Sequence, residues 1–184
     1  MDGIRTMKGK PAKADGVGLI ASFQVDHTRI GYGIFVSRRD RVNGAYVTTF
    51  DVRMKRPNAE PAIQPNAMHT IEHVVATYLR NSPFRDHVVY WGPMGCLTGF
   101  YFITATDREI MPREIERLMR AAFRHLAGYR GPVPGATPVN CGNYLFHDLP
   151  MAKFEARAFL GKTWAFEYPP ARRARAGSRT FYDA

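Results

Sequence analysis

The stretch from Val88 to Thr106 runs for 19 residues without a formally charged side chain, and it limits the fold more than any other segment. By length alone it could cross a bilayer as a helix. Its composition excludes that helix. Pro93 and three glycines, Gly92, Gly95 and Gly99, interrupt it, and Tyr, Trp, Phe and Val are prominent in the remainder. The segment is predicted to be two buried strands around a turn. Such a pair needs further strands beside it, and Val17 to Val25, Ile30 to Val36 and Tyr46 to Met54 have strand composition. One helix is expected from an Asn66 N-cap to about Asn81. A second runs from Pro112 to Gly128, with Ile115, Leu118, Met119, Ala122, Phe123 and Leu126 on one face. A third is expected from an Asp148 cap to Leu160 before Gly161. Strands in neighbouring runs with few helices between them point to an α+β fold: an antiparallel sheet packed against a few helices in a single domain.

Composition narrows the function. The chain has 184 residues, of which 45% are apolar and 23% charged, values ordinary for a globular protein. Cys96 and Cys141 are too few for a disulfide framework. With no secretory signal in the opening residues, a cytoplasmic protein with reduced thiols is expected. The net charge of +10 raises the question of a nucleic-acid partner. Its distribution argues against one. Residues 1–21 carry four basic and two acidic side chains, and residues 171–184 four Arg and one Asp, so half of the excess sits in the two ends. The organisation is read as a flexible basic extension over 1–16, a folded domain over 17–165, and a flexible basic tail over 166–184. No recognised nucleic-acid motif accompanies the tails, and no membrane association is expected.

The most informative motif is His69-Thr70-Ile71-Glu72-His73. At 100° per residue, Glu72, His73, Ala76 and Arg80 fall on one helix face with His69. Met68, Ile71, Val75, Tyr78 and Leu79 fall on the other. Two imidazoles at i and i+4 can reach one metal ion. A third ligand is then needed, and Cys141, in a loop before Gly142, is a good candidate. A set of two His and one Cys suits a borderline or soft divalent ion such as Fe²⁺ or Zn²⁺. Cys96 lies between Gly95 and Gly99, where backbone and solute can approach closely. A thiol near a dication loses its proton more easily and can act as a general base or acid.

These residues carry a resemblance. His69-Thr70-Ile71-Glu72-His73, Pro93-Met94-Gly95-Cys96-x-Thr98-Gly99, Cys141-Gly142 and His147-Asp148-Leu149, with Ser22-Phe23-x-Val25-Asp26-His27 and Phe50-Asp51-Val52-Arg53 upstream, resemble the S-ribosylhomocysteine lyase, or LuxS, family. The resemblance covers Ser22 to about Leu160. It implies a homodimer of α+β subunits with active sites at the subunit interface. It implies Fe²⁺, with Zn²⁺ as a substitute, on His69, His73 and Cys141. Cys96 and Glu72 match the family's catalytic positions, Ser22, His27 and Arg53 its substrate contacts, and Arg80 the residue holding the homocysteine carboxylate. The implied reaction cleaves S-ribosyl-L-homocysteine to L-homocysteine and 4,5-dihydroxy-2,3-pentanedione, a quorum-sensing signal precursor. The family pattern has an acid six residues before the catalytic Cys. Tyr90 stands there in this chain, so a variant thioether sugar is an alternative substrate.

Two rivals follow from the same residues. His69-x-x-Glu72-His73 is also an inverted zinc-hydrolase motif, for which Glu155 is a conceivable third ligand. A basic binding protein with a structural metal would need four closed ligands, and three good ones are apparent.

Overall fold

A computed structural model describes residues 25–169 together with the short strands β1 (Lys13–Ala14) and β2 (Val17–Gly18), which pair antiparallel. Ser22 and most of the two basic ends lie outside the described residues.

The charge-free stretch forms two strands, β5 (Val88–Pro93) and β6 (Gly99–Thr106), joined by a turn at residues 94–98. Upstream lie β3 (Gly33–Val42) and β4 (Ala45–Arg53). The four make one antiparallel sheet in the order β3-β4-β6-β5. The expected strand at 30–36 is longer and displaced. It runs on through the charged residues Arg38, Arg39, Asp40 and Arg41 to a tight hairpin at Asn43-Gly44, both at positive φ, the geometry that suits a right-twisted hairpin. A bulge between Val36 and Arg38 re-aims this strand.

Three helices cover one face: α1 (Pro65–Arg80), α2 (Pro112–Gly128) and α3 (Leu149–Leu160). Asn66 is not the N-cap of α1. Gln64 takes that position with extended backbone, and Pro65 fills the first helical site, where a missing N–H costs nothing. Asp148 caps α3 as expected, accepting the Met151 backbone N–H at 2.9 Å.

Strand alternation divides the sheet. Ile34, Phe50, Val52, Phe100 and Phe102 point into the core and are fully buried against Met68, Ile71, Val75 and Leu79 of α1 and Met119 and Phe123 of α2. Phe35, Asp51 and Tyr101 are direct cross-strand neighbours in a row on the opposite face. A buried Lys55–Glu155 ion pair at 2.7 Å ties the end of β4 to α3. Beyond α3 the chain returns to the sheet. Trp164 stacks on Phe159 with ring centroids 4.3 Å apart, and Ala165 bridges to Gly33 at the free edge of β3. Within the segment read as a tail, Phe166 packs against the core and Tyr168 stacks on Phe35; residues 170–184 lie outside the described residues.

Candidate active site: a metal centre and a thiol pocket

The outer face of α1 presents His69 and His73, as the spacing requires. The long connection 129–148 folds back over them. It places Cys141 and a residue not expected there, His147, beside the two rings, and the ligand atoms of all four lie within 4.8 Å of one another. Cys141 Sγ is 3.3 Å from His69 Nε2. The imidazoles are held from behind. His69 Nδ1 donates to the Phe146 carbonyl at 2.8 Å and His73 Nδ1 to the Pro134 carbonyl at 2.7 Å. Each ring therefore turns an Nε2 lone pair toward the cluster, the support that metal-binding histidines commonly receive.

His147 obeys the same logic. The Thr70 hydroxyl gives its one proton to the Asn66 carbonyl, so it can only accept from His147 Nδ1, 3.2 Å away. It also accepts the Asp148 backbone N–H. His147 Nε2 is then a buried acceptor without a protein partner. Burial, with the neighbouring His69 and His73 rings, pushes this imidazole down to about 4, which keeps it neutral at neutral pH. Three imidazoles, one of them with an orphaned acceptor, and a thiol fit a borderline or soft divalent metal well. His147 thus joins the three expected residues as a fourth donor. His147 directly precedes the α3 cap, and its signal in the sequence was the His147-Asp148-Leu149 motif, which carried no ligand assignment.

The hydrolase rival loses its third ligand. Glu155 is held by Lys55, and among the described residues no carboxylate joins the cluster. Glu72 is half-buried on the helix beside His73, and its carboxylate has no hydrogen bond or ion pair with the described residues.

Cys96 lies elsewhere. Its turn is shaped by Leu97 at φ 57° and by Gly99, where a Cβ would stand 2.3 Å from the Val52 carbonyl oxygen. The thiol is 3.0 Å from the Thr98 hydroxyl and 3.6 Å from Arg53 NH1. Arg53 and Asp51, two apart on β4, share a face and form a buried bidentate pair. Burial pushes the Asp51 carboxyl up, while the Arg53 charge and hydrogen bonds from Arg53 and Tyr168 pull against it. Partial burial also pushes the Cys96 thiol up. Hydrogen bonds from Thr98 and the Arg53 charge more than offset this and hold the thiol below its ordinary range. A pocket of about 250 Å³ opens here, lined by His27, Asp51, Arg53, Cys96, Tyr101 and Tyr168 among others. His27 is fixed by a 2.7 Å contact from Nδ1 to the Val25 carbonyl.

The site residues thus fall into two groups. His69, Glu72, His73 and Cys141 belong to the helix layer, whereas His27, Arg53 and Cys96 belong to the far face of the sheet. None of the metal-facing residues lines the thiol pocket. Arg80 joins neither group. Its guanidinium donates to the Val88 and Val89 carbonyls at 3.3 and 3.0 Å and ties the end of α1 to β5.

A donor cluster of this kind can hold a divalent ion, and a thiol held below its ordinary range lines a second pocket, a combination found in metalloenzymes. The S-ribosylhomocysteinase (LuxS) family model matches residues 20–167, and the chain belongs to that family. The S-ribosylhomocysteine lyase of Phocaeicola vulgatus is 56% identical over 142 residues, 77% of this chain and 87% of that protein. Those of Porphyromonas gingivalis and Clostridium beijerinckii are 53% and 46% identical over 142 residues, 77% of this chain and 88% of each relative.

Proposed function

We infer that the chain is a metal-dependent carbon–sulfur lyase that cleaves S-ribosyl-L-homocysteine to L-homocysteine and 4,5-dihydroxy-2,3-pentanedione. The observation that carries this reading is the convergence of His69, His73, Cys141 and His147 in a member of the LuxS family. Three ligands and an open position make a catalytic site. His69, His73 and Cys141 would hold the ion, Fe²⁺ with Zn²⁺ as a substitute, and His147 would neighbour the fourth position. The bound ion supplies a Lewis acid for the oxygens of the sugar.

The chain's own residues do the rest. Breaking the thioether is difficult until a carbonyl has migrated along the sugar and made the carbon next to the C–S bond acidic. Cys96, as thiolate, takes a proton from one side of the sugar, and Glu72 exchanges protons with its oxygens and carbons on the other. Arg53 holds Cys96 in its charged form, and Ser22 and His27 contact the substrate. Loss of the acidic proton then expels the homocysteine thiolate by β-elimination.

Cys96 and the metal donors lie in separate layers of one chain, so a composite site needs two copies. This supports a homodimer with its active sites at the subunit interface. Val139, Leu145, Phe146 and Phe154, exposed around the metal-bearing connection, provide apolar surface for such an interface. Two free cysteines, one of them activated, suit a reducing cytoplasm. No helix among the described residues is long and apolar enough to cross a membrane.

The test is incubation of the Fe²⁺-loaded protein with S-ribosylhomocysteine while free thiol is assayed. Catalytic thiol release is expected, and its absence from fully metal-loaded protein would reject the assignment.

A further inference from the structure

The thiol pocket is closed by a residue that neither the motifs nor the proposed chemistry uses. After α3 the chain turns at Gly161, and Trp164 anchors it by donating its indole N–H to the Phe159 carbonyl at 2.9 Å. Ala165 then adds to the free edge of β3. Its N–H donates to the Tyr32 carbonyl and its carbonyl accepts from Ile34, both at 2.9 Å. Gly33 makes this approach possible, since a Cβ there would stand 2.0 Å from the Ala165 carbonyl oxygen. The short edge pairing sets the chain's direction and delivers Tyr168 to the far face of the sheet. There its ring stacks on Phe35 with centroids 4.7 Å apart and planes 11° from parallel. Phe35 is the cross-strand partner of Asp51, and the Tyr168 hydroxyl donates to Asp51 Oδ2 at 3.1 Å.

Asp51 Oδ2 therefore has two donors, Tyr168 and Arg53. This division of the carboxylate matters for the thiol. The other arm of Arg53, NH1, points to Thr98 and Cys96. A carboxylate satisfied in part by a phenol draws less on the guanidinium and leaves more of its field at the sulfur. We propose that Tyr168 is a positioning residue: it holds Asp51 so that Arg53 stays turned toward Cys96, and so sustains the reactive form of that thiol. The proposal rests on the reading of Cys96 as a proton carrier. Burial and the Asp51 charge push the Tyr168 phenol far above its ordinary range, so it remains a donor at every working pH. The other titratable groups facing the thiol pocket are His27, Asp51, Arg53 and Tyr101.

The test is alkylation of the metal-loaded, full-length protein by iodoacetamide between pH 5 and 10, with the Cys96 and Cys141 peptides quantified separately by mass spectrometry. Tyr168→Phe keeps the ring and its stack and removes only the donor. Its Cys96 midpoint should rise by about half a pH unit, a roughly three-fold slower reaction at neutral pH, while the Cys141 peptide is unchanged. Tyr168→Ala, which also opens the pocket, should shift it at least as far. Cys96 profiles superposable on wild type in Tyr168→Phe overturn the proposal, whether or not Tyr168→Ala folds. The lyase pH profile of Tyr168→Phe separates the two readings. A matching shift of its acid limb supports both. A shifted alkylation profile with an unmoved lyase profile keeps Tyr168 as the positioner of the thiol and rejects Cys96 as proton carrier.

Discussion

The proposed chemistry can be tested one side chain at a time. His73 gives its Nδ1–H to Pro134 and turns Nε2 toward the donor cluster, so His73→Ala removes one of the three proposed ligands. Metal analysis of that variant should show strong depletion; full occupancy would break the ligand assignment. Cys96 and Glu72 lie outside the donor set, so Cys96→Ala and Glu72→Gln should keep their metal and fail to release thiol. Because the Thr98 hydrogen bonds and the Arg53 charge hold the Cys96 thiol below its ordinary range, the reactive thiolate appears at lower pH than it would for an unperturbed thiol. The acid limb of kcat/KM should fall there and move to higher pH in Thr98→Val, which removes the nearest hydrogen bond. A limb that stays in place would separate the profile from this thiol. Tyr90 is 44% exposed, with its hydroxyl folded over Gly92. A phenol offers no charge to a substrate ammonium. If that anchor is missing, Tyr90→Asp should lower KM for S-ribosylhomocysteine about ten- to a hundred-fold with less effect on kcat, the worth of one charge-assisted hydrogen bond. An unchanged or raised KM would favour a different thioether tail.

At the scale of elements, α3 and the metal-bearing connection share one hinge. Asp148 caps the helix through its side chain, while its backbone N–H holds the Thr70 hydroxyl that positions His147. Asp148→Ala should cost about 1 kcal/mol and lower Tm by roughly 2–4 °C in a domain of this size. Metal affinity should weaken as the start of the helix frays, and calorimetry with metal titration would read both effects. An unchanged Tm would mean that the connection is held by its other contacts, such as the Cys141 N–H on the Thr137 carbonyl and Lys153 on the Tyr129 carbonyl. The elements themselves were largely legible. Pro112 and Gly128 bound α2 as the sequence predicts, and Gly95 falls in the turn between β5 and β6, with Gly92 inside β5 and Gly99 opening β6. The extension of β3 was not, because Arg38 to Arg41 lie on an edge strand that is mostly exposed there and carry no apolar alternation. Asn43-Gly44 was the available signal for its hairpin.

For the whole molecule, the separation of thiol and metal donors makes a sharp prediction. A homodimer with composite sites should show complementation between two dead variants. Cys96→Ala and His73→Ala, each inactive alone, should recover about a quarter of wild-type thiol release when co-expressed. Half of the dimers formed are then mixed, and each mixed dimer has one intact site of two. No recovery from mixed dimers of verified composition would place both groups of residues in one subunit's site. Burial of Asp51 and Arg53 does not conflict with solvent access to Cys96: all three line the thiol pocket, the ion pair buried and the thiol exposed.

The sequence by itself determined what backbone geometry fixes over short separations. A period of 3.6 puts His69 and His73 together and apart from Met68 and Ile71, and a period of 2 puts Asp51 beside Arg53 on one face of β4. The ordered motifs carried the family. Only the tertiary structure decided which distant groups meet. His69 finds Cys141 across 72 residues, Thr70 finds His147 across 77, and Asp51 finds Tyr168 across 117. It also decided that the Arg80 guanidinium is spent on the β5 carbonyls. Such contacts depend on where a connection docks and which sheet edge is free. Those outcomes are set by packing of the whole core and leave no period in the chain.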